Sequence, residues 1–306
     1  MIKNNNLIGH NNFFNQLIYL YDNNILPNKI LLSGKRGIGK SLIVEHFINY
    51  IFSNNEEYKY DSNKFEISIR NKSFILAKNN SHPNIFKISK NEIKKNIDIA
   101  QIREMIQFQN NSTFNNKIKC IIIDDLEYLN ISSTNALLKS LEEPNEGVFF
   151  FLIFNSHARI SDTLKSRCIE FKLSLHNRYN KNVVNNYFEC EIFDSLPRDF
   201  VNYYSSPSFL ISLITFCKNN SINFEYLKIE NLIIEIIKNK YYSKDVFIYE
   251  NINTFIELFF YKNINISKNI SYKIKDFYYL KLNEIKKYNL DLETFFIEFK
   301  ENLISE

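Results

Sequence analysis

Three of the chain's five glycines fall inside one octet, Gly34-Lys35-Arg36-Gly37-Ile38-Gly39-Lys40-Ser41. The spacing is that of a phosphate-binding loop, in which consecutive backbone N–H groups converge on an anion and side chains at the closing positions would obstruct them. Such a loop needs a buried strand before it and a helix after it. Residues 29–33, Lys-Ile-Leu-Leu-Ser, read as the strand, and residues 42–52 as a helix with an apolar face. Lys40 is then placed to reach the terminal phosphates of a nucleotide, and the Ser41 hydroxyl to ligate its magnesium ion.

The first half of the chain keeps this alternation. Helical spacing runs over residues 13–23 and breaks at Pro27, whereas residues 53–81 are polar text without a clear period. A short strand at 85–88 follows the turn His82-Pro83-Asn84, and 97–108 read as a helix. Residues 118–123 form an apolar strand ending in two acids, Asp124 and Asp125. A helix through 135–144 and a fully apolar strand at 148–154 follow. Short apolar strands separated by helices predict a parallel sheet covered on both faces. Beyond about residue 172 the pattern turns helical, as in 232–237, so an α/β domain followed by all-helical domains is expected. Two acids after a strand are commonly a solvated turn. Paired with a phosphate loop, Asp124 instead reads as the carboxylate that holds magnesium's water shell.

Composition narrows the function classes. A net charge of +4, with Lys mixed among Glu and Asp, announces no nucleic-acid groove. Cys120, Cys168, Cys190 and Cys217 are too far apart for a zinc knuckle and read as reduced thiols, so no zinc site is expected. Neither a signal-peptide core nor a membrane-length apolar run is present, which predicts a soluble, cytoplasmic protein.

Four stretches together resemble one family. Ile8-Gly9-His10, the phosphate loop, the run Asn135-Ala136-Leu137-Leu138-Lys139-Ser140-Leu141-Glu142-Glu143-Pro144 and the triplet Ser166-Arg167-Cys168 look like successive signatures of the AAA+ clamp-loader subunits of bacterial DNA polymerase III. The likeness is strong over residues 7–173 and weak beyond. It implies an AAA+ nucleotide-binding domain over 1–172, a parallel sheet flanked by helices. A small helical lid over 173–218 and a C-terminal all-helical collar domain over 219–306 would follow.

It also implies ATP with magnesium at Gly34, Gly37, Gly39, Lys40, Ser41 and Asp124, with Ser41 and Asp124 on the metal side. Partners would be gamma/tau and delta subunits in a ring, the sliding clamp, and primed DNA through the complex. Arg167 would be an arginine finger reaching a neighbouring subunit's ATP, a role a guanidinium suits because it stabilises charge on a transferring phosphoryl group. Asn155 stands where the family has a polar sensor near the γ-phosphate, although an Asn in a turn at a strand end reads equally well.

Motor subunits, gamma and tau, share these signatures with delta-prime subunits, which serve as a stator. Departures from the motor pattern point to the second kind. Residues 52–81 contain neither Cys nor His, so the family's zinc module is missing. Phe209 falls where a motor subunit carries a cationic second sensor, and a phenyl ring cannot neutralise phosphate. Asp125 stands in the place of the Glu that orients the attacking water. The stretch Tyr288-Asn289-Leu290-Asp291-Leu292-Glu293-Thr294, with Phe295, Phe296, Ile297 and Phe299 after it, resembles a delta-prime terminal helix, and the chain ends there where a tau-like one would continue. A stator that hydrolyses ATP weakly or not at all is the expectation. The alternative is an ATP-hydrolysing gamma-type motor. A small P-loop kinase would leave the 135–144 run and Ser166-Arg167-Cys168 without a purpose.

Overall fold

The strands whose text is continuously apolar are those at the centre of the sheet. In the computed structural model, which describes residues 6–90, 96–111, 118–156, 159–201, 205–225, 227–266, 272–288 and 290–304, the first unit is a parallel five-stranded sheet. Its elements run α1 (Asn11–Asp22), β1 (Lys29–Gly34), α2 (Lys40–Ser53), α3 (Lys72–Lys78), β2 (Ile85–Ile88), α4 (Ile99–Asn110) and β3 (Lys119–Ile123). They continue with α5 (Ile131–Glu142), β4 (Val148–Asn155), α6 (Asp162–Lys165), β5 (Ile169–Leu173) and α7 (Arg178–Phe188). The order across the sheet is β2-β3-β4-β1-β5, and every neighbouring pair is parallel.

Alternation along each central strand feeds two cores. Ile30, Leu32, Ile122, Phe151 and Ile153 face the side where Phe14 and Phe47, from α1 and α2, are buried. Leu31, Ile121, Ile123, Phe150 and Leu152 face Ile102, Met105, Leu137 and Leu141 from α4 and α5. Burial on both faces is what a parallel sheet with crossover helices requires. The α/β architecture expected from the sequence is therefore observed.

β5 and α3 had no counterpart in the sequence pattern. β5 is an edge strand with exposed Ile169, Glu170 and Lys172, so its text alternates and lacks an apolar run. α3 lies in the polar stretch, where Glu56 accepts from Asn71 Nδ2 at 2.8 Å and from the backbone N–H groups of Lys72 and Ser73 at 2.8 and 3.1 Å.

The chain divides into two compact units, Met1–Tyr187 and Phe188–Glu306. The second is helical: α8 (Arg198–Val201), α9 (Pro207–Asn219), α10 (Ile229–Lys238), α11 (Tyr241–Lys244), α12 (Val246–Ile266), α13 (Tyr272–Tyr288) and α14 (Leu292–Leu303). Phe259, Phe260, Tyr278, Phe295 and Phe299 form a connected aromatic cluster in its core. Of the terminal stretch singled out in the sequence, Asn289 lies outside the described residues. Phe295, Phe296 and Phe299 are buried, and Ile297 is exposed.

Candidate functional site

Strand order decides which chain segments meet at the carboxyl ends of the sheet, where open α/β sheets bind their ligands. β4 lies between β1 and β3, with Gly34 in register with Asn155. Asn155 therefore ends its strand between the phosphate loop, which leaves β1, and the acids, which leave β3. Gly34 is required by a close approach, because a Cβ there would stand 2.4 Å from the Leu173 carbonyl oxygen of β5. Gly39 enters α2 at φ +97°, a conformation that glycine adopts without penalty. No side chain caps that helix start, which leaves its first N–H groups directed at the loop's interior. His10, buried beneath the loop, donates from Nε2 to the Ile38 carbonyl at 2.7 Å. Burial, opposed by that bond, holds its pKa below the usual value and favours the neutral ring.

Lys40 is 4% exposed and folds back on its own loop. Its ammonium donates to Gly34 O at 2.9 Å, Lys35 O at 2.8 Å and Asn155 Oδ1 at 2.9 Å. Burial pulls its pKa down to about 8, against the opposing pull of Asp124, Glu127 and Asp125. Ser41 Oγ donates to Asp124 Oδ2 at 2.5 Å, so the hydroxyl and carboxylate that would share a hydrated magnesium ion already touch. These residues fit a magnesium nucleotide: a donor-rich loop for the phosphates, with an acid and a hydroxyl beside it for the metal. Among the described residues no group of three or more His, Cys, Asp or Glu is arranged to hold a metal by itself.

Asp125 adopts φ +55°, and its N–H closes on Asp124 Oδ1 at 2.9 Å. That turn starts a short 3-10 segment, Leu126–Tyr128, which buries Leu126 and swings Glu127 back to the site. Asn155 Nδ2 donates to Glu127 Oε1 at 2.5 Å and to Asp125 Oδ1 at 3.3 Å, and the Asn155 backbone N–H lies 3.3 Å from Glu127 Oε2. Burial first, then Asp124 and Glu127, raise the pKa of Asp125. Glu127 is the functional candidate that sequence reasoning missed. Its only signal was an acid following a single apolar residue after the Asp124-Asp125 pair.

Gly34, Gly37, Gly39, Lys40, Ser41, Asp124, Asp125 and Asn155 are thus brought together; Arg167 is not among them. It precedes β5, whose Ile169 is in register with Ile30 and whose Leu173 is in register with Gly34. Arg167 therefore lies toward the amino-terminal edge of the sheet, a strand length of about 13 Å from the level of the loop. Its Nε and Nη2 donate to Glu142 Oε1, the first at 3.1 Å, and Nη1 donates to Thr163 O at 2.8 Å. Cys168 beside it is half-buried, and burial pushes its thiol up to about 11, which suits packing rather than nucleophilic chemistry. Phe209, in the second unit, packs against Phe247 and Phe255 with ring centroids 5.7 Å away in each case. No helix among the described residues is long and apolar enough to cross a membrane.

Comparison with known proteins gives this site a family. The family described as "DNA polymerase III, delta subunit" matches residues 9–177, just over half of the chain. A DNA polymerase III subunit delta' of Pseudomonas aeruginosa is 29% identical over 140 residues, 46% of this chain and 41% of that protein. The subunit delta' of Buchnera aphidicola subsp. Schizaphis graminum is 40% identical over 102 residues, 33% of this chain and 30% of that protein. A subunit gamma, from Buchnera aphidicola subsp. Acyrthosiphon pisum, is 39% identical over 77 residues, 25% and 21% of the two chains. The chain thus spans less than half the length of these curated relatives in each match.

Proposed function

Because this chain belongs to the DNA polymerase III delta-subunit family, we propose that it works as a delta-prime-like stator of a clamp loader, lending Arg167 to the ATP site of a neighbouring subunit. Assembly with gamma/tau and delta subunits, and loading of the sliding clamp on primed DNA by the complex, are part of this reading. So is the division into an AAA+ domain over 1–172, a lid over 173–218 and a collar over 219–306.

One observation carries the proposal: Arg167 is at the opposite end of β5 from its own phosphate loop. A guanidinium there cannot serve the nucleotide of its own chain, but it can face one presented by another. Its partner, Glu142, is half-exposed, and an ion pair in water-accessible surroundings is weak enough to be exchanged for a phosphate. The chain's own site would bind magnesium nucleotide through Lys40, Ser41 and Asp124 and turn it over slowly. Asp125 is a shorter acid with a raised pKa, and the resemblance assigns the second-sensor position to Phe209, which carries no cation.

A gamma-type motor is the second reading, favoured by the contact between Ser41 and Asp124 and by the complete loop. Turnover by the purified chain separates the two. The stator reading predicts little or no ATP hydrolysis alone and a stable complex on mixing with gamma-type and delta subunits. Steady hydrolysis by the chain alone, abolished by Lys40→Ala, would establish the motor instead.

A further inference from the structure

Asn155 faces a cation and two carboxylates at once, and its two polar ends are not interchangeable. An ammonium can only donate, so Oδ1 must face Lys40; carboxylates only accept, so Nδ2 must face Glu127 and Asp125. That orientation has a consequence on each side. The Lys40 ammonium has three hydrogens, and the oxygens of Gly34, Lys35 and Asn155 receive them. An entering phosphate can be met by Lys40 only if one of those bonds is given up. Asn155, for its part, has no amide hydrogen to offer a phosphate while both are turned to acids. Glu127 grips Asn155 twice, at the side-chain amide at 2.5 Å and at the backbone N–H at 3.3 Å, whereas Asp125 makes a single contact at 3.3 Å.

We propose that Glu127 is a positioning residue that sets the affinity of this site for a nucleoside triphosphate: by gripping Asn155 it keeps Lys40 turned back onto the loop carbonyls. Binding must break the Glu127–Asn155 contact, which releases Lys40 toward the phosphates and frees the Asn155 amide to donate. The inference rests on reading the Gly34–Ser41 loop as the nucleotide site.

The test is a double-mutant cycle on the full chain, titrated with a fluorescent ATP analogue and magnesium. Glu127→Ala is expected to tighten binding about tenfold, the scale of one hydrogen bond to a charged group. The same substitution made on Asn155→Ala is expected to change nothing. An equal tightening in both backgrounds would mean that Glu127 merely repels phosphate, and would overturn the proposal. So would an unchanged or weaker affinity for Glu127→Ala alone. Thermal melts check that each variant folds, and Glu127→Ser runs the same cycle if the alanine variant does not. Lys40→Ala tests the underlying reading separately. If it binds the analogue as the unaltered chain does, the nucleotide is not on this loop and the proposal falls with that reading; if it abolishes binding, the cycle alone decides.

Discussion

Lys40 carries its charge in a place that resists it, and the consequence is measurable in folding as well as in binding. Its pKa in the folded chain, about 8, lies below the ordinary value of 10.5. Between those values the unfolded chain holds the proton more tightly, so Lys40's contribution to stability improves as pH rises from about 8 toward 10.5. The difference in unfolding free energy between the unaltered chain and Lys40→Met should shift in that direction, by at most about 1.4 kcal/mol per pH unit. A difference that stays flat over that window would contradict it. His10 offers a second prediction. Its bond to Ile38 O holds the loop from below, and losing a hydrogen bond of about 1 kcal/mol should weaken nucleotide binding roughly fivefold in His10→Ala. Unchanged affinity on titration would remove His10 from the loop's support.

The elements differ in what made them visible. β1, β3 and β4 are buried on both faces, so burial writes an unbroken apolar run into each, and their positions could be read from the sequence. β5 needs no such run because it closes the sheet at an edge, and α3 is held by an acid far back in the chain. Glu56 takes two backbone N–H groups, the Asn71 amide and the Ser73 hydroxyl. Urea unfolding of Glu56→Ala should show a loss of about 1–3 kcal/mol, because the part-buried donors of Asn71 and Ser73 lose this acceptor. A loss within experimental error would mean that α3 is held by its apolar packing alone. In the site, the same logic applies. The loop, Asp124 and Asn155 sit on elements whose text is legible, so they could be named in advance. Glu127 reaches Asn155 only through the left-handed turn at Asp125, and Arg167 meets Glu142 only because α5 and α6 end side by side. Neither pairing has a spacing that a sequence displays.

For the whole molecule, the family match covers most of the first unit and stops before the second, where helices with aromatic cores carry little sequence signature beyond their periodicity. The proposed clamp-loader assembly therefore rests on family membership, and the proposed chemistry on two sites at opposite ends of the sheet's strands. One is the Gly34–Ser41 loop, proposed to hold the chain's own nucleotide; the other is Arg167, before the far end of β5 and bonded to Glu142 and Thr163. The most direct measurement compares Arg167→Ala with Lys40→Ala in a loader reconstituted from this chain with gamma-type and delta subunits, following DNA-stimulated ATP hydrolysis. Arg167→Ala should lower turnover at the one neighbouring site by on the order of 10³-fold, while Lys40→Ala leaves the rate of the complex nearly intact. The opposite outcome, full activity with Arg167→Ala and loss with Lys40→Ala, would make this chain a motor that hydrolyses its own ATP and would contradict the stator account.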